Sequence, residues 1–341
     1  MDRRQRLFHR ACLGEPCERT PVWLMRQAGR YMQEYRDLRA RHSFLDLCRQ
    51  PELAAEVTLH ARDVLGVDAA ILFADILLIV ECLGLTLTFQ KGDGPCIAEA
   101  VREPAQVDRL PEIEAGELDY VYQAIRLIRR DLPPEISLIG FAGAPFTVAS
   151  YCIEGGASRE FAHTKKLMHG HPQAWDALMS RLARGTAAYL RAQIEAGADA
   201  VQLFDSWVGC LSPEEYRRFV KPYSDQVLSG LPEGIPRIHF GRGTALLLAD
   251  MAEHAEVVGV DFVTPLPWAR SQVGGRSLQG NLDPCVLMTN REVIAREVTR
   301  VVREGGKRGH IFNLGHGILQ HTPVDHVKYL VEVVHQACDA S

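Results

Sequence analysis

The stretch PVWLMRQAGRYMQEYRDLRAR, residues 21–41, joins an apolar run of five residues to arginines at 26, 30, 36, 39 and 41. The run has the length and composition of a buried strand. It ends where fixed cations begin. Such a junction suits an α/β fold, in which polar chemistry gathers where parallel strands end.

The same pattern recurs along the chain. Apolar runs bounded by Gly, Pro or charge occur at 21–25, 68–74, 136–142, 198–204, 235–240, 257–262, 277–282 and 310–315. Between them lie stretches of helical character at 51–66, 117–132, 171–197, 212–231, 290–306 and 323–337, with a Ser212 N-cap in SPEEY and glycines suited to helix ends in AGAD and REGG. Eight strands alternating with helices predict an α/β fold, a single (β/α)8 TIM barrel forming one domain over residues 1–341. A doubly wound open sheet is the alternative. In a barrel the residues after each run would share one mouth: Arg26 with Arg30, Asp75, Gly143 to Pro145, Asp205 with Ser206, Gly241, Asn281 and His316.

Composition narrows the function. With 47% hydrophobic and 24% charged residues the chain falls in the soluble globular range. Its net charge of −5 argues against nucleic acid as a partner, so an anion site must come from a local cluster of arginines. The nine cysteines, including Cys338, are dispersed without zinc-site spacing and read as reduced thiols of a cytoplasmic protein. No apolar run approaches the roughly 18 residues of a spanning helix, so no membrane is expected. Gly-rich pieces such as EGGAS (154–158), GFAGAPFT (140–147) and GRGTA (241–245) lack the spacing of a nucleotide cradle and read as tight turns.

Single residues stay ambiguous at this level. Asp75 interrupts LFADILLIV, where a carboxylate is costly unless paired; it either caps a helix and bonds arginines, or sits in a cleft facing a positive charge. Arg26 and Arg30 are four apart around Gly29 and can aim both guanidiniums the same way, suited to capture of carboxylate or phosphate, although a charge run more often forms a solvated face. His316, between two glycines in NLGHGIL, and Tyr151 and Ser206 each have ordinary hydrogen-bonding roles as an alternative.

Taken together, the motifs TPVWLMRQAGRYMQEYR (20–36), FADIL (73–77), GPCIAEAVR (94–102), IGFAGAPFTVASYCIEGG (139–156), QLFDSW (202–207), IHFGRG (238–243), LQGNLDP (278–284), NLGHGI (313–318) and TPVDHV (322–327) resemble the uroporphyrinogen decarboxylase family. The resemblance implies a (β/α)8 homodimer of haem biosynthesis with neither metal nor prosthetic group. Its substrate would be uroporphyrinogen III, its product coproporphyrinogen III. By position it implies catalytic roles for Asp75, Arg26 and Arg30, and substrate binding by Arg26, Gln27, Ala28, Gly29, Arg30, Arg39, Asp75, Tyr151, Ser206 and His316. Arg36 and Arg41 are left as surface charge.

Such chemistry needs no borrowed electron sink. A protonated pyrrole can drain the electrons released with CO2, and a carboxylate such as Asp75 can stabilise the resulting cation. The chain departs from the family pattern at Gln33, at His60 and Ala61, at Asp205 and in GVDFVTPLPWAR (259–270). Two rivals differ in class: a zinc- and corrinoid-dependent methyltransferase of the same superfamily, for which no H-x-C followed by a suitable Cys is found, and a tetrapyrrole carrier using His316.

Overall fold

The strands of the computed structural model, which describes residues 2–90 and 94–337, are short, and those of its main sheet are strongly buried. In chain order they are β1 (Ala69–Ile71), β2 (Leu87–Gln90), β3 (Gly94–Ile97), β4 (Ser137–Gly143), β5 (Ala200–Asp205), β6 (Arg237–Gly241), β7 (Val257–Gly259), β8 (Ser277–Gln279) and β9 (His310–Ile311). Seven of them form a curled parallel sheet in the order β1-β4-β5-β6-β7-β8-β9, while β2 and β3 form a separate antiparallel hairpin. All seven residues of β4 are buried, as expected of a parallel strand covered on both faces.

Helices cover the outer face, among them Pro51–Leu65, Asp119–Asp131, Pro172–Ala196 and Arg291–Gly305. Inside the curl, Ala69, Ile139, Ala200, Ile238, Val257 and Ile311 contribute one small or branched side chain from each of six strands. The N-terminal helix Leu7–Cys12 packs Phe8, Ala11 and Cys12 against this inner cluster. A chain of buried polar groups continues the filling: Trp23 Nε1 donates to Gln279 Oε1 (3.0 Å), and Gln279 Nε2 donates to Gln202 Oε1 (2.9 Å). The relay satisfies Trp23 and Gln279 and ends at Gln202, whose Nε2 is buried without a partner among the described residues.

The count of eight strands is corrected to seven. Segment 21–25 is extended but makes a single parallel bridge, Val22 to Phe312. Its amides explain this: Val22 N donates to Asp68 Oδ2, Leu24 N to Gln27 Oε1 and Met25 N to Asn313 Oδ1, so side chains take the place of a ladder. The segment nevertheless bonds at both edges of the sheet, since Asp68 N donates to Val22 O (2.8 Å) and Phe312 N donates to Pro21 O (2.8 Å). The helix expected over 212–231 is two helices, Pro213–Phe219 and Lys221–Ser229. Pro222, lacking an N–H and clashing with the preceding turn, enforces the break.

Asp68 fastens this end of the fold. It accepts from Arg19 Nη1 (2.7 Å), from Val22 N (2.9 Å) and from His335 Nε2 (3.1 Å), tying the segment before β1 to the helix Val324–Ala337. Eight described cysteines are free thiols; Cys338 lies outside the described residues. Among the described residues no helix is long and apolar enough to cross a membrane.

Candidate active site

The loop after Met25 is built to hold one arginine in place. Arg26 has φ of 61°, a left-handed backbone that costs a non-glycine residue about 1 kcal/mol. Hydrogen bonds on both sides hold it there. Gln27 N donates to Leu24 O (2.9 Å), Ile318 N to Met25 O (3.0 Å) and Met32 N to Gly29 O (3.0 Å). The Gln27 side chain, 1% exposed, accepts from Leu24 N and donates to Ala69 O, and Tyr31 Oη donates to Gln27 O (2.6 Å). Arg36 braces the next turn by donating to Arg30 O and Tyr31 O, both at 2.9 Å, so it is more than solvated charge.

What the loop leaves unbonded is as informative. The amides of Ala28, Gly29 and Arg30 donate to no acceptor among the described residues, and the guanidiniums of Arg26 and Arg30 make no hydrogen bond or ion pair there. Two exposed guanidiniums and three N–H groups, unpaired among the described residues, make this loop a candidate anion site.

The Arg26 charge acts on Asp75, Tyr151 and His316. Asp75 follows β1, is half-buried, and accepts from Leu77 N at 2.8 Å across a tight turn. Burial pushes its carboxyl up to about 6, against the pull of that N–H and of the Arg26 charge. Tyr151, on the helix Pro145–Glu154 after β4, is pushed up to about 12 by burial and by Asp75, with Arg26 opposing. It therefore remains a phenol at neutral pH. Its ring stacks on Trp207, centroids 3.7 Å apart.

His316 is pushed down to about 4 by burial and by the charges of Arg242 and Arg26, so its imidazole is neutral. Its Nδ1 accepts from Gly317 N (2.5 Å), which leaves the ring proton on Nε2. Gly317 has a steric reason to be glycine: a Cβ there would lie 2.4 Å from Arg26 Cδ.

The remaining predicted residues lie on two sides. Arg39 sits over the Phe44 ring, 5.9 Å from its centroid, and donates to His42 O; its charge and that of Arg30 both act on Tyr35. Ser206 lines a hollow of about 460 Å³ together with Trp207, Arg242 and Asp261. A second hollow of about 480 Å³ is lined wholly by one face of the helix Arg291–Gly305 and gathers no strand-end residue. Beneath Ser206, Asp205 is fully buried and accepts from Thr147 Oγ1 (2.9 Å).

Sequence reasoning missed Arg242, Asp261 and Trp207. Arg242 lay in a GRG that read as a turn, and only its position after β6, at a strand end, could have flagged it. Asp261 lay in the departing segment 259–270, where it accepts from Gly243 N (2.5 Å) and Thr264 Oγ1 (2.7 Å). Among the described residues no three His, Cys, Asp or Glu side chains gather as a metal site.

A curled parallel sheet, with guanidiniums unpaired among the described residues and the half-buried carboxylate of Asp75 on the loops that follow its apolar runs, defines the class: an α/β protein with a candidate anion site beside a carboxylate. The family model for uroporphyrinogen decarboxylase (URO-D) matches residues 3–337, and the chain belongs to that family. It is 51% identical over 340 residues to a uroporphyrinogen decarboxylase from Thermus thermophilus, covering 98% of this chain and 99% of that one. It is 53% identical over 339 residues to one from Sorangium cellulosum, covering 98% and 97%. Among solved structures, a methyltransferase from Methanosarcina mazei superposes with a TM-score of 0.79 at 21% identity, over 96% of this chain and 97% of that one, a likeness of fold.

Proposed function

We propose that the chain removes the carboxyl groups of the four acetate arms of uroporphyrinogen III as CO2, leaving methyl groups and giving coproporphyrinogen III. The observation that carries this is the placement of Arg26, an unpaired guanidinium whose charge acts at once on Asp75, Tyr151 and His316. Family membership supplies the substrate class.

Each arm reacts by exchange of a proton for CO2. Protonating the pyrrole carbon next to the ring nitrogen creates an iminium cation. The C–CO2 bond then breaks, its electrons flow to that cation, and an exocyclic methylene forms. A second proton converts the methylene to methyl, and loss of the ring proton restores the pyrrole. The substrate is thus its own electron sink, and the protein's task is charge placement.

Asp75 faces the pyrrole N–H groups and stabilises the ring cation, an interaction stronger in the transition state than in the ground state. A guanidinium is a poor acid, so Arg26 positions the reacting carboxylate and the proton comes through it only by relay. Arg30, the unbonded amides of Ala28 and Gly29, and Arg39 hold peripheral carboxylates, with Gln27 fixing the loop. Neutral Tyr151 and His316 contribute hydrogen bonds, and Ser206 a hydroxyl.

The bonds of segment 21–25 to both edges of the sheet support a single (β/α)8 barrel in one domain, with that segment as its eighth stave. A cytoplasmic homodimer acting without metal or prosthetic group completes the proposal, and the free thiols support the compartment. The test is incubation with anaerobically reduced uroporphyrinogen III, followed by oxidation and chromatography. The seven- to four-carboxylate series should appear, with the four-carboxylate product accumulating. Unchanged substrate, or activity that tracks bound zinc, would contradict it.

A further inference from the structure

The loop after β6 carries a cation that the chemistry above does not use. Arg242 is exposed on the wall of the hollow it shares with Ser206, Trp207 and Asp261. Among the described residues its guanidinium makes no hydrogen bond or ion pair. Asp261 is the one carboxylate lining that hollow, and both its oxygens already accept, one from Gly243 N and one from Thr264 Oγ1. Asp261 therefore shapes the turn beside Arg242 and leaves its five N–H donors for something else.

The turn itself is fixed. A Cβ on Gly209 would lie 2.0 Å from Arg242 O, so the segment after β5 runs directly against this backbone. The hollow lies at strand ends, with Ser206 following β5 and Arg242 following β6, and the Arg242 charge also acts on His316. A guanidinium unpaired among the described residues, carried on a fixed turn and sharing a hollow with a serine hydroxyl, suits a carboxylate on a flexible arm.

We infer that Arg242, with Ser206 beside it, binds a peripheral carboxylate of the tetrapyrrole, on a separate segment from Arg30 and Arg39. This rests on the decarboxylase function above. The arm is an acetate or a propionate, and the intermediates of the reaction distinguish them, since acetates disappear stepwise while all propionates persist.

The experiment is steady-state kinetics of wild type, Arg242→Gln and Arg242→Lys with uroporphyrinogen III and with its seven-, six- and five-carboxylate intermediates. Arg242→Gln should raise KM for uroporphyrinogen about tenfold with kcat within about twofold, and Arg242→Lys should recover part of the loss. Its kcat/KM should also fall less steeply with added salt, a change that a purely structural role does not produce. A constant KM factor along the series assigns a propionate. A factor that collapses to one at a given intermediate assigns an acetate. Equal KM and equal salt slope in wild type and Arg242→Gln overturn the inference while leaving the decarboxylase function standing. A wild type that neither turns over uroporphyrinogen nor shows tryptophan quenching on binding coproporphyrinogen overturns both.

Discussion

Arg26 lies directly across Gly317, so close that any Cβ at position 317 would come within 2.4 Å of Arg26 Cδ and 2.7 Å of its Cγ. The atoms at risk belong to a flexible side chain and not to backbone. Gly317→Ala should therefore leave the fold nearly intact while pushing the guanidinium out of line. We expect kcat/KM to fall by about a hundredfold, the effect of roughly 1 Å of misplacement, with thermal stability changed by under about 1 kcal/mol. Kinetics beside a melting curve checks this; equal losses of stability and activity would mean that Gly317 serves packing alone.

Asp75 should cost the folded state stability at neutral pH. Its carboxyl is raised to about 6 by burial, above its unfolded value of about 3.9. Between those values the folded chain holds more protons than the unfolded one, so stability declines as pH rises through the window. Asp75→Asn keeps the acceptor for Leu77 N and removes the charge. Allowing for the residual exposure of the side chain, the variant should be more stable by about 1–2 kcal/mol at pH 7–8, with the gain fading below about pH 4. Denaturant melts at two pH values measure it.

The same group should set the acid limb of the reaction. With Asp75 required as carboxylate, kcat/KM should fall tenfold per pH unit below about 6. The limb for kcat should lie lower, because bound pyrrole N–H donors favour the ionised form. His316, titrating near 4, adds nothing in that range. The residual kcat/KM of Asp75→Asn should show no step near pH 6.

Asp68 should behave in the opposite sense. Burial alone would raise its carboxyl, but His335 and Arg19 hold it below the usual range. The stability it contributes is present above the unfolded pKa and lost as pH falls through the lowered folded one. Asp68→Asn, which removes the charge that Arg19 and His335 bond, should destabilise by about 2–3 kcal/mol at pH 7, less than a fully buried pair because Arg19 is partly exposed. Urea unfolding of both proteins gives the difference, and kcat should be unaffected in the folded fraction.

The sequence carried most of the parallel sheet, because strands buried on both faces read as unbroken apolar runs, as in ISLIGFA (136–142). It does not show how 21–25 pairs, because apolar composition reports burial and not the partner of each amide; the acceptors Asp68, Gln27 and Asn313 are distant or unremarkable in sequence. The hairpin β2–β3 was overlooked because its strands are only four residues each and partly exposed. Arg26, Asp75 and His316 were legible by their positions after apolar runs. Arg242 was not, since its meaning depends on having no partner among the described residues and on sharing a hollow with Ser206, and neither is written in a GRG turn.

The central claim is that the Asp75 carboxylate stabilises the cationic ring as CO2 leaves. The most direct measurement is the rate of four-carboxylate product formation by Asp75→Asn and wild type, each verified as folded, at saturating uroporphyrinogen III and pH 7. The account predicts a loss of about a thousandfold with KM changed little. Turnover within tenfold of wild type would contradict it.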